Sequence, residues 1–240
     1  MAHSVRRAAV TLSIAIPLAG CTSTQHEAQR ERLDSARQRA ALESTRVRVA
    51  NTTVTASSIA EVRSAARTAF VVTVRNRGRK AVTDLPISLG YTTPAGASVY
   101  LNAAPNPDYF QAHLPAITAG GVLTWVYTTD RRVPAAARPF ARVGTKRAAP
   151  ALLTEANIKI KVSYHYAGSS SLTVRLDNTT SVPQYQLQLY ALATRGSKYV
   201  GAANATIATL GAGSKQSVRL GLVGTLGSQL RVQAIPTILQ

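Results

Sequence analysis

The chain has 240 residues and a formal net charge of +18, an excess of cations that attracts polyanions such as nucleic acid, anionic lipid head groups or acidic polymers. Its hydrophobic fraction of 45% is enough to bury a core, which excludes a wholly disordered chain. The only cysteine is Cys21, so no intramolecular disulfide can stabilise the fold.

The first twenty residues have the organisation of a secretory signal peptide. Arg6 and Arg7 supply the positive region, and an apolar stretch follows at residues 8–18. A bilayer-spanning helix needs about 20 apolar residues, so this stretch is too short to cross a membrane. We predict a signal peptide over residues 1–20, and its removal would lower the net charge of +18 by two.

The tetrapeptide Leu18-Ala19-Gly20-Cys21 resembles the lipobox of bacterial lipoproteins at every position. The resemblance implies that the sulfur of Cys21 receives a diacylglyceryl group and that Cys21 becomes the first residue of the mature chain. Two acyl chains hold a protein durably at a bilayer, because each buried methylene contributes about 0.8 kcal/mol. An ordinary secretory signal with a chance cysteine is the alternative. We therefore expect an extracytoplasmic protein that is anchored to a bacterial membrane by lipid and has no nucleic-acid partner.

Residues 21–46 are predicted to form a lipid-anchored helical stalk. Residues 25–46 contain no Gly or Pro and are rich in Ala, Gln, Glu and Arg, which are strong helix formers. A helix of about 20 residues spans roughly 30 Å, enough to lift a domain off the membrane surface. A coiled-coil seam is the alternative, although two leucines make a poor heptad pattern.

From residue 47 onward the pattern changes to short runs rich in Val, Ile, Thr, Leu and Tyr, separated by turn residues, which is typical of strands. We predict an all-β fold of two immunoglobulin-like β-sandwiches, at residues 47–145 and 157–240, joined by a linker at 146–156. The predicted strands are 47–49, 70–74, 87–91, 123–127 and 140–143 in the first, and 158–162, 172–176, 185–190, 218–222 and 230–235 in the second.

The two series share features that indicate duplication of one sandwich unit. Asn76 ends a strand, and alternating apolar residues follow it nine, eleven and thirteen positions later; Asn178 is followed by apolar residues at the same distances. The segments 117–120 and 210–213 both end in Ala-Gly and both precede a strand, as expected for sharp turns. Convergence of two unrelated sandwiches on common turns is the alternative.

Both series also resemble known modules. Residues 68–129, with VTVRNRG, LPISLGY and ITAGG, resemble the CARDB type of immunoglobulin-like module. Residues 171–222, with VRLDNTT, YQLQLYAL and LGAGSKQSV, resemble the FxLYD type found in bacterial surface lipoproteins, although Leu189-Tyr190-Ala191-Leu192 stands where a Phe-x-Leu-Tyr-Asp core is usual. The two resemblances imply an immunoglobulin-like fold, but they do not identify any functional residues in this chain.

Signatures of catalysis and metal binding are missing from the sequence. The predicted mature chain has three histidines, His26, His113 and His165, and its acids are scattered singly instead of paired. There is no Gly-x-Ser-x-Gly elbow, phosphate-binding loop or dinucleotide fingerprint. We therefore expect no enzymatic activity, no metal and no cofactor.

Four cations flank a predicted hairpin turn in the first sandwich: Arg75, Arg77, Arg79 and Lys80. Their proximity in sequence predicts an anion-binding surface, because several like charges on one turn raise the local concentration of anions. A solvated face that serves only solubility is the alternative.

Three aromatic residues, Tyr100, Tyr109 and Phe110, bracket a proline-containing loop. Aromatic side chains on a loop can anchor a protein partner or a glycan. Closure of the open end of the sandwich by the same side chains is the alternative.

Together these patterns predict a non-catalytic lipoprotein of the cell envelope that serves adhesion or scaffolding, or binds anionic envelope polymers or proteins. Its partners would be the membrane, through the lipid anchor, and an anionic wall polymer or envelope protein. An accessory subunit of an envelope transport or secretion complex is the alternative function.

Overall fold

A computed structural model describes residue 31 and residues 46–103, 108–145 and 160–236. The chain divides into two compact units, Met1–Gln38 and Arg39–Gln240, and the described strands all belong to the second. The predicted signal peptide, Cys21 and the predicted linker lie outside the described residues, as does the predicted stalk apart from Glu31, which is helical, and Arg46.

The predicted all-β sandwich fold is confirmed: the described part of the second unit contains fourteen strands and one four-residue helix. The first half, residues 46–145, contains β1 (Val54–Arg63), β2 (Thr68–Asn76), β3 (Leu85–Thr92), β4 (Ser98–Tyr100), α1 (Tyr109–Ala112), β5 (His113–Leu114), β6 (Val122–Thr129) and β7 (Arg138–Val143). The second half, residues 160–236, contains β8 (Ile160–Gly168), β9 (Ser171–Asn178), β10 (Gln184–Arg195), β11 (Lys198–Leu210), β12 (Lys215–Gly221), β13 (Val223–Gly224) and β14 (Gln229–Ile235).

The main strands of the two halves have matching orders, and every strand pair in the described residues is antiparallel. In the first half the order β1-β2-β6 forms one sheet, and β3 pairs with β4, β5 and β7 in the other. In the second half the order β12-β9-β8 matches the first sheet. In the other sheet the order β11-β10-β14 matches β4-β3-β7, whereas β13 pairs with β11 and β5 pairs with β3, so these two short strands do not correspond. The registers also match, because Arg75 pairs with Val122 at the start of β6 and Asp177 pairs with Lys215 at the start of β12.

The core of the first half follows from alternation along β2 and β6. Phe70 and Val72 are completely buried and lie directly opposite Tyr127 and Trp125. Two polar aromatic groups are satisfied there by the main chain: Trp125 Nε1 donates to the Phe110 carbonyl at 3.1 Å, and the Tyr127 hydroxyl donates to the Leu101 carbonyl at 2.9 Å.

The core of the second half is built in the same way from β9, β10 and β11. Its buried members include Leu172, Val174, Leu176, Leu187, Leu189, Ala191, Ala203 and Ile207. The side chains between these positions on β10 point to the opposite face of the sheet, because successive side chains of a strand alternate.

That opposite face packs on the first half. Tyr190, Leu192, Ala202 and Val223 are buried and belong to the apolar cluster of the first half. Hydrogen bonds surround this contact: Thr128 Oγ1 donates to Asn204 Oδ1 at 2.8 Å, Gln233 Nε2 to the Thr124 carbonyl at 3.3 Å, and Thr206 Oγ1 to Asp108 Oδ2 at 2.8 Å. The two sandwiches therefore stack sheet on sheet through a shared buried layer.

Candidate functional site

The basic turn, defined as Arg75, Arg77, Arg79 and Lys80, begins at the end of β2. Its geometry is set by Asn76, whose side chain is fully buried at the base of the turn. Asn76 Nδ2 donates to the carbonyls of Lys80 and Thr118, both at 2.9 Å, and its Oδ1 accepts the amide proton of Gly78 at 2.9 Å. One buried amide therefore fixes both ends of the turn.

Main-chain hydrogen bonds tie the same turn to its neighbours. The amide of Arg77 donates to the carbonyl of Thr53 at 3.0 Å, and the amide of Gly120 donates to the carbonyl of Gly78 at 3.0 Å. The backbone that carries the cations is thus held on two sides, and an anion that binds there meets a surface with little backbone entropy left to lose.

All four side chains of the basic turn are exposed. Within the described residues none of the four takes part in a salt bridge, and none donates a side-chain hydrogen bond. Their positive charges are therefore not neutralised by ion pairs with any of the described residues. Val122, which lies opposite Arg75, is 60% exposed and adds an apolar residue beside the cations.

The predicted partner-binding loop places Tyr100, Tyr109 and Phe110 on one surface, but the structure separates them. Tyr109 and Phe110 lie in α1 and are buried, 9% and 4% exposed respectively. Tyr109 stacks on His113, with ring centroids 4.1 Å apart, and its hydroxyl donates to Asp84. These contacts favour the alternative that Tyr109 and Phe110 close one end of the first sandwich.

Tyr100 lies elsewhere, on the outer face of the sheet formed by β3, β4 and β7. Its ring meets Phe140 edge-on, with centroids 5.4 Å apart. The two rings close over Gly90, their shared cross-strand neighbour, where an added Cβ would lie 2.6 Å from Phe140 Cζ. Arg46 stacks over the Tyr100 ring at 4.9 Å, and the Arg142 guanidinium lies 5.8 Å from the Phe140 centroid.

This arginine–aromatic cluster was not predicted from the sequence. Its members come from β4, β7 and the segment before β1, and only the cross-strand register brings them together. The guanidinium groups of the cluster already contact rings of the same protein. The basic turn is therefore the more open of the two cationic surfaces.

The described residues contain no cluster of metal-binding side chains. No three His, Cys, Asp or Glu side chains in the described ranges lie close enough together to hold a metal ion. His113 is engaged with Tyr109, whose carbonyl lies 3.1 Å from His113 Nδ1, and His165 is exposed on β8. As far as the structure describes the chain, no helix is both long and apolar enough to cross a bilayer.

The candidate site is therefore a charged surface on a turn that several hydrogen bonds hold in place. No protein-family model matches the sequence, and no curated protein matches it.

Proposed function

We propose that this protein is a non-catalytic lipoprotein of the bacterial cell envelope that binds anionic envelope polymers or acidic proteins through the basic turn. Cys21 would carry the lipid, and the sandwiches would face the extracytoplasmic side. The observation that supports the proposal is the exposure of four cations on a turn that is held by a buried asparagine.

The charge of the basic turn and the hydrogen bonds that hold its backbone both favour anion binding. Surface cations without carboxylate partners attract anions over about 8–10 Å at moderate ionic strength, the distance over which salt screens exposed charges. The net charge of +18 adds a long-range attraction of the same sign. Binding should therefore weaken as salt concentration rises.

Co-sedimentation with purified cell-wall polymer tests this function. The full-length protein should pellet with the polymer at low salt and remain in the supernatant at high salt. Replacement of Arg75, Arg77, Arg79 and Lys80 by Ser should strongly reduce pelleting at low salt.

A matched control removes the same number of exposed cations elsewhere: Arg131, Arg132, Arg195 and Lys198. If the proposal holds, the Ser variant of this control set still pellets. Equal pelleting of the wild type and the basic-turn variant would remove the basic turn from the proposal.

Mass spectrometry of the protein isolated from its native membrane tests the anchor. The expected mature chain begins at Cys21 and carries a diacylglyceryl adduct on the sulfur. A chain that still contains residues 1–20 and an unmodified thiol would contradict both the anchor and the location.

A second candidate function is an accessory subunit of an envelope transport or secretion complex. It is favoured by β8, an edge strand that pairs only with β9 among the described strands and exposes Tyr164 and Tyr166 by 40% and 58%. An exposed edge can accept a strand from another protein. Crosslinking in intact cells would distinguish the two functions. An accessory subunit should form a specific protein adduct that is lost when β8 is altered, whereas a polymer-binding protein should form none.

A further inference from the structure

The sheet β12-β9-β8 has one face over the second core and one face in solvent. On β9 the side chains of Leu172, Val174 and Leu176 are buried, so those between them point outward. The outward positions of the three strands form three rows, which we call the outer sheet face. From one end to the other these rows are Lys161–Asp177–Lys215, Ser163–Arg175–Ser217 and His165–Thr173–Arg219.

The outer sheet face carries four permanent cations and a single carboxylate. That carboxylate belongs to Asp177, whose Oδ2 lies 3.7 Å from the Nζ of Lys215. In the part of the chain that the structure describes, Lys161, Arg175 and Arg219 form no salt bridge. Three of the four cations thus have no carboxylate partner among the described residues.

The register of the sheet sets the spacing of these cations. Neighbouring strands lie about 4.8 Å apart, and alternate residues of one strand lie about 6.8 Å apart. Arg175 occupies the middle row, with Lys161 and Arg219 on diagonal neighbours on either side. The three therefore cross the sheet in one line, and the hydroxyls of Ser163, Ser217 and Thr173 fill the positions beside it.

The first half provides an internal comparison. Part of the same face of the matching sheet is buried against the second half there, where Val71 and Val126 form a cross-strand pair, while Arg75 and Val122 on that face stay exposed. The matching pair in the second half is Thr173 and Arg219. Exposure to water explains why polar side chains occupy these positions. It does not explain why four of them are cations and only one is a carboxylate.

We propose that the outer sheet face binds a linear polyanion whose phosphate or carboxylate groups recur along its length. The line Lys161–Arg175–Arg219 would contact successive anionic groups, and the neighbouring hydroxyls would donate hydrogen bonds to them. This inference rests on the proposed function and deepens it, because it adds a second contact surface for the same class of polymer.

Fluorescence anisotropy with labelled inorganic polyphosphate, and in parallel with a labelled polyuronate, tests the inference on the full-length protein. The variant K161S/R175S/R219S should bind both probes at least about tenfold more weakly than the wild type. The control variant R131S/R132S/R195S loses the same number of exposed cations outside the face and should stay within about threefold of the wild type. All these side chains are solvent-exposed, and far-UV circular dichroism of each variant checks that the fold is retained.

The outcomes separate the inference from the proposed function. Wild-type affinity in K161S/R175S/R219S, together with loss of binding in the basic-turn variant, overturns the inference and leaves the proposed function standing. Equal losses in the face variant and the control variant also overturn it, because binding would then follow net charge alone. No binding of either probe by the wild type overturns the inference together with the polymer-binding part of the proposed function.

Discussion

Asn76 and Asn178 occupy the same position in the two halves and make the same hydrogen bonds. Both side chains are fully buried at the end of the second strand of their sheet. Asn178 Nδ2 donates to the carbonyls of Val182 and Gly211, at 2.9 and 3.0 Å, as Asn76 Nδ2 donates to residues at matching places in the first half. This agreement in detail supports the predicted duplication more directly than the strand order does.

Replacement of either asparagine by alanine should destabilise the protein by about 3 kcal/mol, because buried main-chain groups lose their partners. The expected result is a lower midpoint of urea unfolding for both Asn76→Ala and Asn178→Ala. Gln216→Ala, an exposed polar truncation on β12, should leave the midpoint unchanged. If the free energy of unfolding fell by less than about 0.5 kcal/mol in both asparagine variants, the turns would be held by other contacts.

The interface between the sandwiches predicts cooperative unfolding. Leu192 belongs to the second half but is buried in the apolar cluster of the first, whereas the only tryptophan, Trp125, lies in the first half. Leu192→Ala should cost about 2–5 kcal/mol and should lower the unfolding midpoint measured by Trp125 fluorescence. The midpoint measured by far-UV circular dichroism should fall by the same amount; two separate transitions would show that the halves unfold independently.

Gly224 is required by its surroundings at the same interface. Its φ is 89°, and an added Cβ would lie 2.2 Å from the Val200 carbonyl oxygen and 2.7 Å from Val62 Cγ1. Gly224→Ala should therefore destabilise the protein by about 2 kcal/mol or more, through backbone strain and the clash. Gly221→Ala is the matched control, because no atom lies within 4 Å of its added Cβ. Similar melting temperatures for the two variants would contradict this reading of the interface.

The alternating apolar residues and the paired turns predicted the sandwich class, most strands and the internal repeat. They did not predict β1, whose sequence VTASSIAEVR has mixed small and polar residues, or β11, which is rich in Ala. The intrinsic β-strand propensity of these two sequences is weak, so their conformation is decided by pairing with β2 and β10.

The candidate surfaces were predictable only where they are local in sequence. The basic turn lies within six consecutive residues, whereas the line Lys161–Arg175–Arg219 draws on three strands. The only local sequence signal of this line is the alternation of polar and apolar residues along each strand. Alternation shows which side chains share a face of the sheet, but it does not fix the register between neighbouring strands. Burial of Tyr109 and Phe110 likewise depends on α1 packing at the end of the sandwich, which composition does not reveal.

Two buried tyrosines make stability sensitive to alkaline pH. Burial raises the pKa of Tyr190, and the charge of Asp108 acts in the same direction. Burial also raises the pKa of Tyr127, although the nearby Arg131 offsets part of this effect. An unfolded tyrosine ionises near pH 10, so the unfolded state releases these protons before the folded state does. Stability is therefore unaffected by them below about pH 10 and falls above it, by up to about 1.4 kcal/mol per pH unit for each tyrosine.

Tyr190→Phe isolates one of these contributions. The Tyr190 hydroxyl is buried and has no hydrogen-bond partner among the described residues, so its removal should not reduce stability at pH 7. Above about pH 10 the phenylalanine variant should lose stability less steeply than the wild type, because one ionisable group is gone from the unfolded state. Urea unfolding at neutral and alkaline pH measures both slopes. Parallel slopes would show that the Tyr190 phenol ionises in the folded protein as readily as in the unfolded chain, which its complete burial between the two sandwiches argues against.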